Sequence, residues 1–264
     1  MSFPTISTIL VSHNGAGTIE AALASISAQQ YHDGEVILID NGSTDTTAEL
    51  MHSWQRAQRG LSVRVLTNTE DIGLTKALNQ GLNAARGEYV ARLDDDDEWF
   101  EGKLHKQASF LAAHIEVGVV GTWYQNVRER GETIIRPATT DAEIRANMWQ
   151  RNPLGHSTVL MRRSVLDSVD GYDNKLRYAQ DRDLWYRLLP HTKFANLPEV
   201  LCARRVDLPR SQAKRRAQIR QSIQLTQKYL RLYRPSPVHY LSLLEPVAML
   251  AIPQPVKTLV RKFL

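Results

Sequence analysis

Two periods alternate along the first hundred residues. Ile6–Ser12 is a short apolar run rich in β-branched side chains, broken by His13, Asn14 and Gly15. Ile19, Ala22, Leu23 and Ile26 then recur at helical spacing. The pair repeats: residues 35–39 predict a strand ending at Asp40, Asn41 and Gly42, and Ala48, Met51 and Trp54 mark a second helix. A third strand at 61–66 precedes a helix marked by Leu74, Ala77, Leu78 and Leu82 and stopped by Gly87, and residues 89–93 predict a fourth strand. Such alternation predicts a parallel sheet with helices on its faces, and the near-continuous apolar strands suit burial on both sides.

Beyond residue 100 the alternation loosens. Residues 101–149 read as helix, strand, polar turn, strand and helix, with a strand at 117–123 and a hairpin turn at Arg130 and Gly131. Residues 157–161 predict another strand, and residues 183–189 a short helix with Leu184 and Leu188 on one face. A long basic helix over residues 211–233 carries Ile219, Ile223, Leu230 and Tyr233 as its apolar stripe.

Charge changes the picture of the tail. The 264-residue chain is 42% hydrophobic, enough for one sizeable core, and its net charge is +5. Eleven Lys and Arg follow Asp207 against a single acid, Glu245, while residues 1–207 carry an excess of acid. That asymmetry predicts a tail that meets something anionic. A basic segment ending in Leu241, Leu243, Leu244, Val247, Met249, Leu250 and Ile252 can lie on an anionic membrane surface; the alternative is a helix packed on the main domain with a solvated basic side. The single cysteine, Cys202, excludes an internal disulfide and a Cys-based zinc site and suits a reducing compartment. No apolar run reaches the roughly 18 residues of a spanning helix; residues 246–256 come nearest and are broken by Pro253 and Pro255. No basic leader precedes the first strand, so a cytoplasmic protein is expected, peripheral at most to the inner face of the plasma membrane.

Ligands of an open parallel sheet bind beyond the carboxyl ends of its strands. Three such ends are polar here: His13 with Asn14, Asp40 with Asn41, and the run Asp94, Asp95, Asp96 and Asp97. Four consecutive carboxylates repel one another and need a cation or full solvation. In extended backbone Asp94 and Asp96 point the same way, and such an oxygen-rich pair suits Mg²⁺ or Mn²⁺ shared with substrate phosphates. The competing reading is a solvated acidic loop or a helix cap. Asp40 reads either as a turn residue or as a carboxylate that accepts a hydrogen bond from a nucleobase.

The segments STILVSHN at 7–14, EVILIDNGSTD at 35–45, GLTKALNQG at 73–81, GEYVARLDDDD at 87–97, NPLGHSTVLM at 152–161, GYD at 171–173 and QDRDLWYR at 180–187 together resemble family 2 glycosyltransferases, in order and spacing, over about residues 5–205. The resemblance implies the GT-A fold and inverting transfer from a nucleotide diphosphate sugar, of the type that builds bacterial polysaccharides. It implies a catalytic domain over residues 1–207, with a nucleotide-sugar half at 1–100 and an acceptor half at 101–207, followed by a basic helical extension at 208–264. It places Asp40, with His13 beside it, against the donor's base, which leans toward uracil. It makes Asp94-x-Asp96 a metal-binding motif for Mn²⁺ or Mg²⁺, Asp96 being the foremost ligand, with Asp94 and Asp95 also near the nucleotide. It makes Asp181 the catalytic base, whereas the residues alone allow a helix cap there, a job Asp183 could also do. Lys76 becomes a contact for the donor diphosphate, and His156 and Arg205 contacts for acceptor or diphosphate. The expected acceptor is a glycan carried on a lipid diphosphate.

The chain departs from the pattern at three places: His13 stands where Tyr is frequent, Asn41 where a second Asp is common, and Gln180 where Glu usually precedes the base. A sugar-nucleotide pyrophosphorylase would need a basic Gly-rich loop after the first strand, which residues 13–17 lack, and a phosphohydrolase would need an Asp where Gly42 stands. A nucleic-acid-binding module would fit the basic tail but leaves the four acids unexplained, so no nucleic-acid partner is expected.

Overall fold

A computed structural model describes residues 5–31, 33–206, 212–244 and 246–247. Met249, Leu250 and Ile252 of the apolar tail segment lie outside the described residues.

The strands are β1 (Ile6–Ser12), β2 (Gly34–Asn41), β3 (Ser62–Asn68), β4 (Tyr89–Asp94), β5 (Asp97–Trp99), β6 (Val117–Arg128), β7 (Gly131–Ile135), β8 (Leu160–Arg162) and β9 (Lys193–Arg205). The α-helices are α1 (Ile19–Ser27), α2 (Thr47–Ala57), α3 (Leu74–Ala84), α4 (Lys103–Ala113), α5 (Asp141–Asn147), α6 (Arg163–Asp167), α7 (Gln180–Leu188) and α8 (Gln212–Tyr233). One sheet runs in the order β3-β2-β1-β4-β8-β6-β9-β5, with β7 added beside β6. Strands β1 to β4 are mutually parallel, β8 and β5 run antiparallel to their neighbours, and β6 pairs parallel with β9. This is the α/β GT-A architecture.

Alternation along each strand divides the core into two. Ile9, Val11, Ile37 and Ile39 join α3, α5, α7 and α8 on one face, while Leu10, Val36 and Leu38 join α1, α2 and α4 on the other. Successive residues are therefore apolar, as two-sided burial demands.

Two expectations change. Residues 156–158 form a 3-10 turn, and the strand starts only at Leu160. Helix α7 begins at Gln180 rather than Asp183, behind Ala179 in a left-handed conformation. Strand β9 contains Pro198 and Glu199, which fall out of register between Leu197 and Val200; a bulge is where Pro is tolerated inside a sheet.

The basic helix α8 spends its apolar stripe on the core. Ile223, Leu225, Tyr229 and Leu230 are buried, Tyr229 stacks on Tyr186 with ring centroids 4.6 Å apart, and its hydroxyl donates to Asp183 at 2.7 Å. Asp183 is fully buried and also accepts from Arg187 at 2.7 Å, so it ties α7 to α8 rather than capping a helix. No described helix is long and apolar enough to cross a membrane.

Candidate active site

The sheet register gathers the polar strand ends. Ser12 lies opposite Asp40, and Val11 opposite Asp94, on neighbouring strands about 4.8 Å apart. The Ser12 hydroxyl donates to Asp95, and a Cβ on Gly15 would overlap both groups, so this close approach requires glycine. Asp40 is buried, and its Oδ1 accepts the Ser43 N–H, three residues on, at 3.1 Å across Gly42 at φ +75°. The exposed His13 ring has Nδ1 3.0 Å from the Asn41 carbonyl, so it stands at the same strand end. Asn41 donates its amide to Asp71 at 2.5 Å while its oxygen accepts from Asn68 at 3.0 Å. An Asp at this position would set two carboxylates against each other, which accounts for the departure to Asn.

The acidic run is a turn between strands. β4 ends at Asp94, residues 95 and 96 turn, and β5 starts at Asp97. The backbone is therefore not extended through Asp96; the turn brings Asp94, Asp96 and Asp97 together, with one carboxylate oxygen of each within 4.8 Å of the others. The fully buried Arg92 pairs with Asp94, and the Ser157 hydroxyl donates to Asp97 at 2.6 Å. Asp97 also accepts the Arg205 N–H at 3.0 Å and faces the Arg204 guanidinium at 3.6 Å. Burial opposes ionisation of Asp94, but the Arg92 guanidinium overrides it and holds the pKa well below the carboxylate range. Burial, then the charge of Asp94, pushes Asp96 up to about 6 and Asp97 up to about 7. Burial likewise raises Asp95, against the Ser12 hydrogen bond. Clustered carboxylates that resist ionising together suit a hard divalent cation with oxygen ligands.

Asp181 comes from the second half of the chain. It occupies the first turn of α7, half-buried, accepting from the Asn152 amide at 2.6 Å and from the Arg182 N–H at 2.8 Å. Burial raises its pKa, and the guanidiniums of Arg92 and Arg204 lie close enough to act against that shift. The buried Tyr172 hydroxyl lies within electrostatic reach of both Asp181 and Asp94, so the base candidate and the acidic turn are neighbours. His156 is buried, its Nε2 2.8 Å from the Tyr172 hydroxyl; desolvation and Arg92 push its pKa well down, so it is neutral.

Residues 7–170 match the family described as Glycosyl transferase family 2. The chain belongs to that family. EpsE of Bacillus subtilis is 32% identical over 212 residues, covering 78% of this chain and 74% of EpsE. The UDP-Gal:alpha-D-GlcNAc-diphosphoundecaprenol beta-1,3-galactosyltransferase of Escherichia coli is 27% identical over 228 residues, covering 84% of this chain and 80% of the relative. Among solved structures, the mannosyltransferase PcManGT of Pyrobaculum calidifontis with GDP-Man and Mn²⁺ superposes with a TM-score of 0.69 at 23% identity, over 96% of this chain and 71% of that one. S. aureus TarS 1-349 in complex with UDP does so at 0.67 and 20%, over 86% of this chain; the chain spans 65% of that TarS structure.

In this glycosyltransferase the anticipated residues do not all converge. Lys76 is exposed on α3, in a groove with Asp71, Lys175 and Arg177, beside the Asp40–Asn41 end rather than at the acidic turn. The Arg205 side chain is exposed and only its N–H reaches Asp97; its neighbour Arg204 supplies the guanidinium there, 5.1 Å above the Tyr124 ring. Trp149, Trp185 and Tyr186 are core residues. Arg92, Ser157 and Ser12 were not singled out from sequence, and Asp97 appeared only as a member of the acidic run, although a basic residue two positions before a strand-end carboxylate is a signal that could have found Arg92.

Behind the acidic turn Lys103 is fully buried, donating to Gln107 at 2.8 Å and lying 4.2 Å above the Trp99 ring, and burial pushes its pKa down to about 7. Its charged form is penalised in the fold but not in the unfolded chain, so stability rises with pH between about 7 and the ordinary lysine range, by up to roughly 1.4 kcal/mol per pH unit. Lys103→Met is expected to flatten that limb of the Tm–pH profile; an unchanged slope would show that the ammonium keeps its proton in the fold.

Proposed function

We propose that this glycosyltransferase moves a sugar from a UDP-sugar to a hydroxyl of a lipid-diphosphate-linked glycan, with inversion, in the assembly of a bacterial cell-surface polysaccharide or O-antigen. The observation that carries the reading is the Asp94–Asp96–Asp97 cluster at the end of β4, and Asp181 within electrostatic reach of the Arg92 that pairs with it supports the choice of base. The UDP of the TarS complex and the UDP-Gal and diphosphoundecaprenol in the name of the E. coli relative support the donor and acceptor classes.

Asp40, with the His13 ring beside it, is assigned to the donor's base, and the acidic turn to the diphosphate. Lys76 is assigned to the diphosphate's outer edge, and His156 and Arg205 to acceptor or diphosphate contacts. Asp96, Asp94 and Asp97 would hold Mn²⁺ or Mg²⁺, a choice the Mn²⁺ of the PcManGT complex supports. Bound there, the ion neutralises negative charge on the departing nucleoside diphosphate. Asp181 takes the proton of the acceptor hydroxyl as that oxygen bonds to the anomeric carbon and the carbon–phosphate-oxygen bond breaks. A single displacement inverts the configuration. Neutral His156 holds the Tyr172 hydroxyl without adding a charge. The enzyme is assigned to the cytoplasmic side, where the acceptor's lipid is anchored at the inner membrane face.

The test is turnover of a panel of nucleotide sugars in Mn²⁺, paired with calorimetric titration of UDP. A UDP-sugar should be consumed with EDTA-sensitive kinetics, and Asp96→Ala should weaken Mn²⁺-dependent UDP binding by about tenfold or more, as loss of a charged ligand does. UDP affinity indifferent to both EDTA and Asp96→Ala would remove the metal assignment.

A further inference from the structure

The apolar stripe of α8 is buried against α7, so it is not available to a bilayer. A different surface is. Arg234, at φ +46°, ends α8 by donating its N–H to Leu230, and residues Pro237–Leu243 then form a 3-10 helix. Its inner side is occupied: the His239 ring lies 6.0 Å from Trp149, and Leu243 packs on the core. Val238 and Leu241 lie one 3-10 turn apart, and Leu244 and Val247 continue the same spacing of three on the α-helical residues that follow, which makes an exposed apolar row. These four are 48–65% exposed. With Leu232 and Tyr240 they make six of the eight large exposed hydrophobics among the described residues. Isolated exposed apolar residues are ordinary, but this concentration within residues 232–247 is not.

We propose that this row is a docking surface for an anionic lipid bilayer, inserting Val238, Leu241, Leu244 and Val247 among the acyl chains. Charge decides for lipid over a second copy of the chain. Arg231 and Arg234 are exposed at the end of α8, which leads into the row, Lys228 is exposed one turn earlier beside Asp183, and residues 208–247 contain eight Lys and Arg against one acid, Glu245. A self-association would press cations on cations, whereas an anionic headgroup layer pairs with them. The position serves the cleft: Trp149 touches the docking helix, and Asn152, at most about 11 Å further along the chain, donates to Asp181. Docking would therefore hold the base near the bilayer that presents the acceptor; this last step rests on the transfer reading above, and the docking itself does not.

The experiment is flotation of the full chain with vesicles of equal parts phosphatidylglycerol and phosphatidylcholine, and with phosphatidylcholine alone. The wild type should float with the anionic vesicles and lose binding as salt rises. Leu241→Glu/Leu244→Glu and, separately, Arg231→Gln/Arg234→Gln should each weaken binding by about tenfold or more while UDP affinity and Tm stay at wild-type values. Equal flotation on neutral vesicles, no flotation at all, or wild-type flotation of the Leu241→Glu/Leu244→Glu variant would overturn the proposal. So would a solution dimer that the same variant makes monomeric, since the row would then be a self-interface. Intact flotation without nucleotide-sugar turnover would support the docking surface and sink the transfer reading alone.

Discussion

Asp181→Asn is expected to leave Mn²⁺-dependent UDP binding intact and to cut turnover by roughly 10²- to 10⁴-fold, the range for loss of a general base. The substitution keeps shape and removes charge. The Arg182 N–H still finds an oxygen, and the Asn152 amide, now facing an amide, turns over to offer its own oxygen. Burial raises the pKa of Asp181, which strengthens it as a base and also makes its charge a burden on the fold. The native state holds the proton more tightly than the unfolded chain, so the stability contributed by Asp181 falls as pH rises through the ordinary Asp range. At neutral pH the Asn variant should therefore melt no lower than wild type. The same shift places the acid limb of kcat/KM for the wild type above the ordinary Asp range, and the residual activity of the variant should lack that limb. Near-normal turnover in a folded Asp181→Asn protein would remove the base from this residue.

The fold was legible where one element carries its own pattern. β1, β2 and β4 announce themselves as near-continuous apolar runs, and α1 and α3 as stripes, because two-sided burial and one-sided packing leave different periods. Three failures have tertiary causes. β5 is three residues, two of them acidic, and exists because β9 is there to pair with it. Ser157 and Thr158 look like strand residues, yet Gln107 captures the Thr158 carbonyl at 2.8 Å and Trp99 captures that of Ser157 at 2.6 Å, so the chain coils instead. α7 starts early because Ala179 adopts the left-handed turn that most non-glycine residues avoid.

The site divides the same way. That the acids of residues 94–97 gather at a strand end follows from position alone. Which of them face one another does not, because the turn at residues 95 and 96 decides it, and with it the promotion of Asp97 over Asp95 into the cluster. The tail shows the limit from the other direction. Its basic charge and apolar content read correctly as an amphipathic pattern, but the pattern does not say which apolar face is already taken.

Arg92→Met tests what allows so much negative charge to fold. Arg92 is among the largest fully buried side chains, and it pairs with Asp94 while its charge reaches Asp181 and His156. Removing it strands the half-buried Asp94 carboxylate beside Asp96 and Asp97, and breaking a fully buried pair from one side costs about 3–5 kcal/mol, an upper bound here because Asp94 is partly solvated. In a protein of ordinary stability that is a large share of the whole, and Tm should fall by on the order of 10 °C. Methionine fills the volume, so the loss is electrostatic rather than a cavity. Two further measurements separate that cause from general disruption. Arg92→Met/Asp94→Asn should recover part of the lost Tm, since the stranded charge is gone. Mn²⁺ should raise the Tm of Arg92→Met more than that of wild type, because a cation in the cluster replaces the missing guanidinium and binding to the folded state alone stabilises it. A variant that melts within a few degrees of wild type and ignores Mn²⁺ would show that the acidic turn carries its charge without either partner, and the case for a cation site built from Asp94, Asp96 and Asp97 would lose its physical basis.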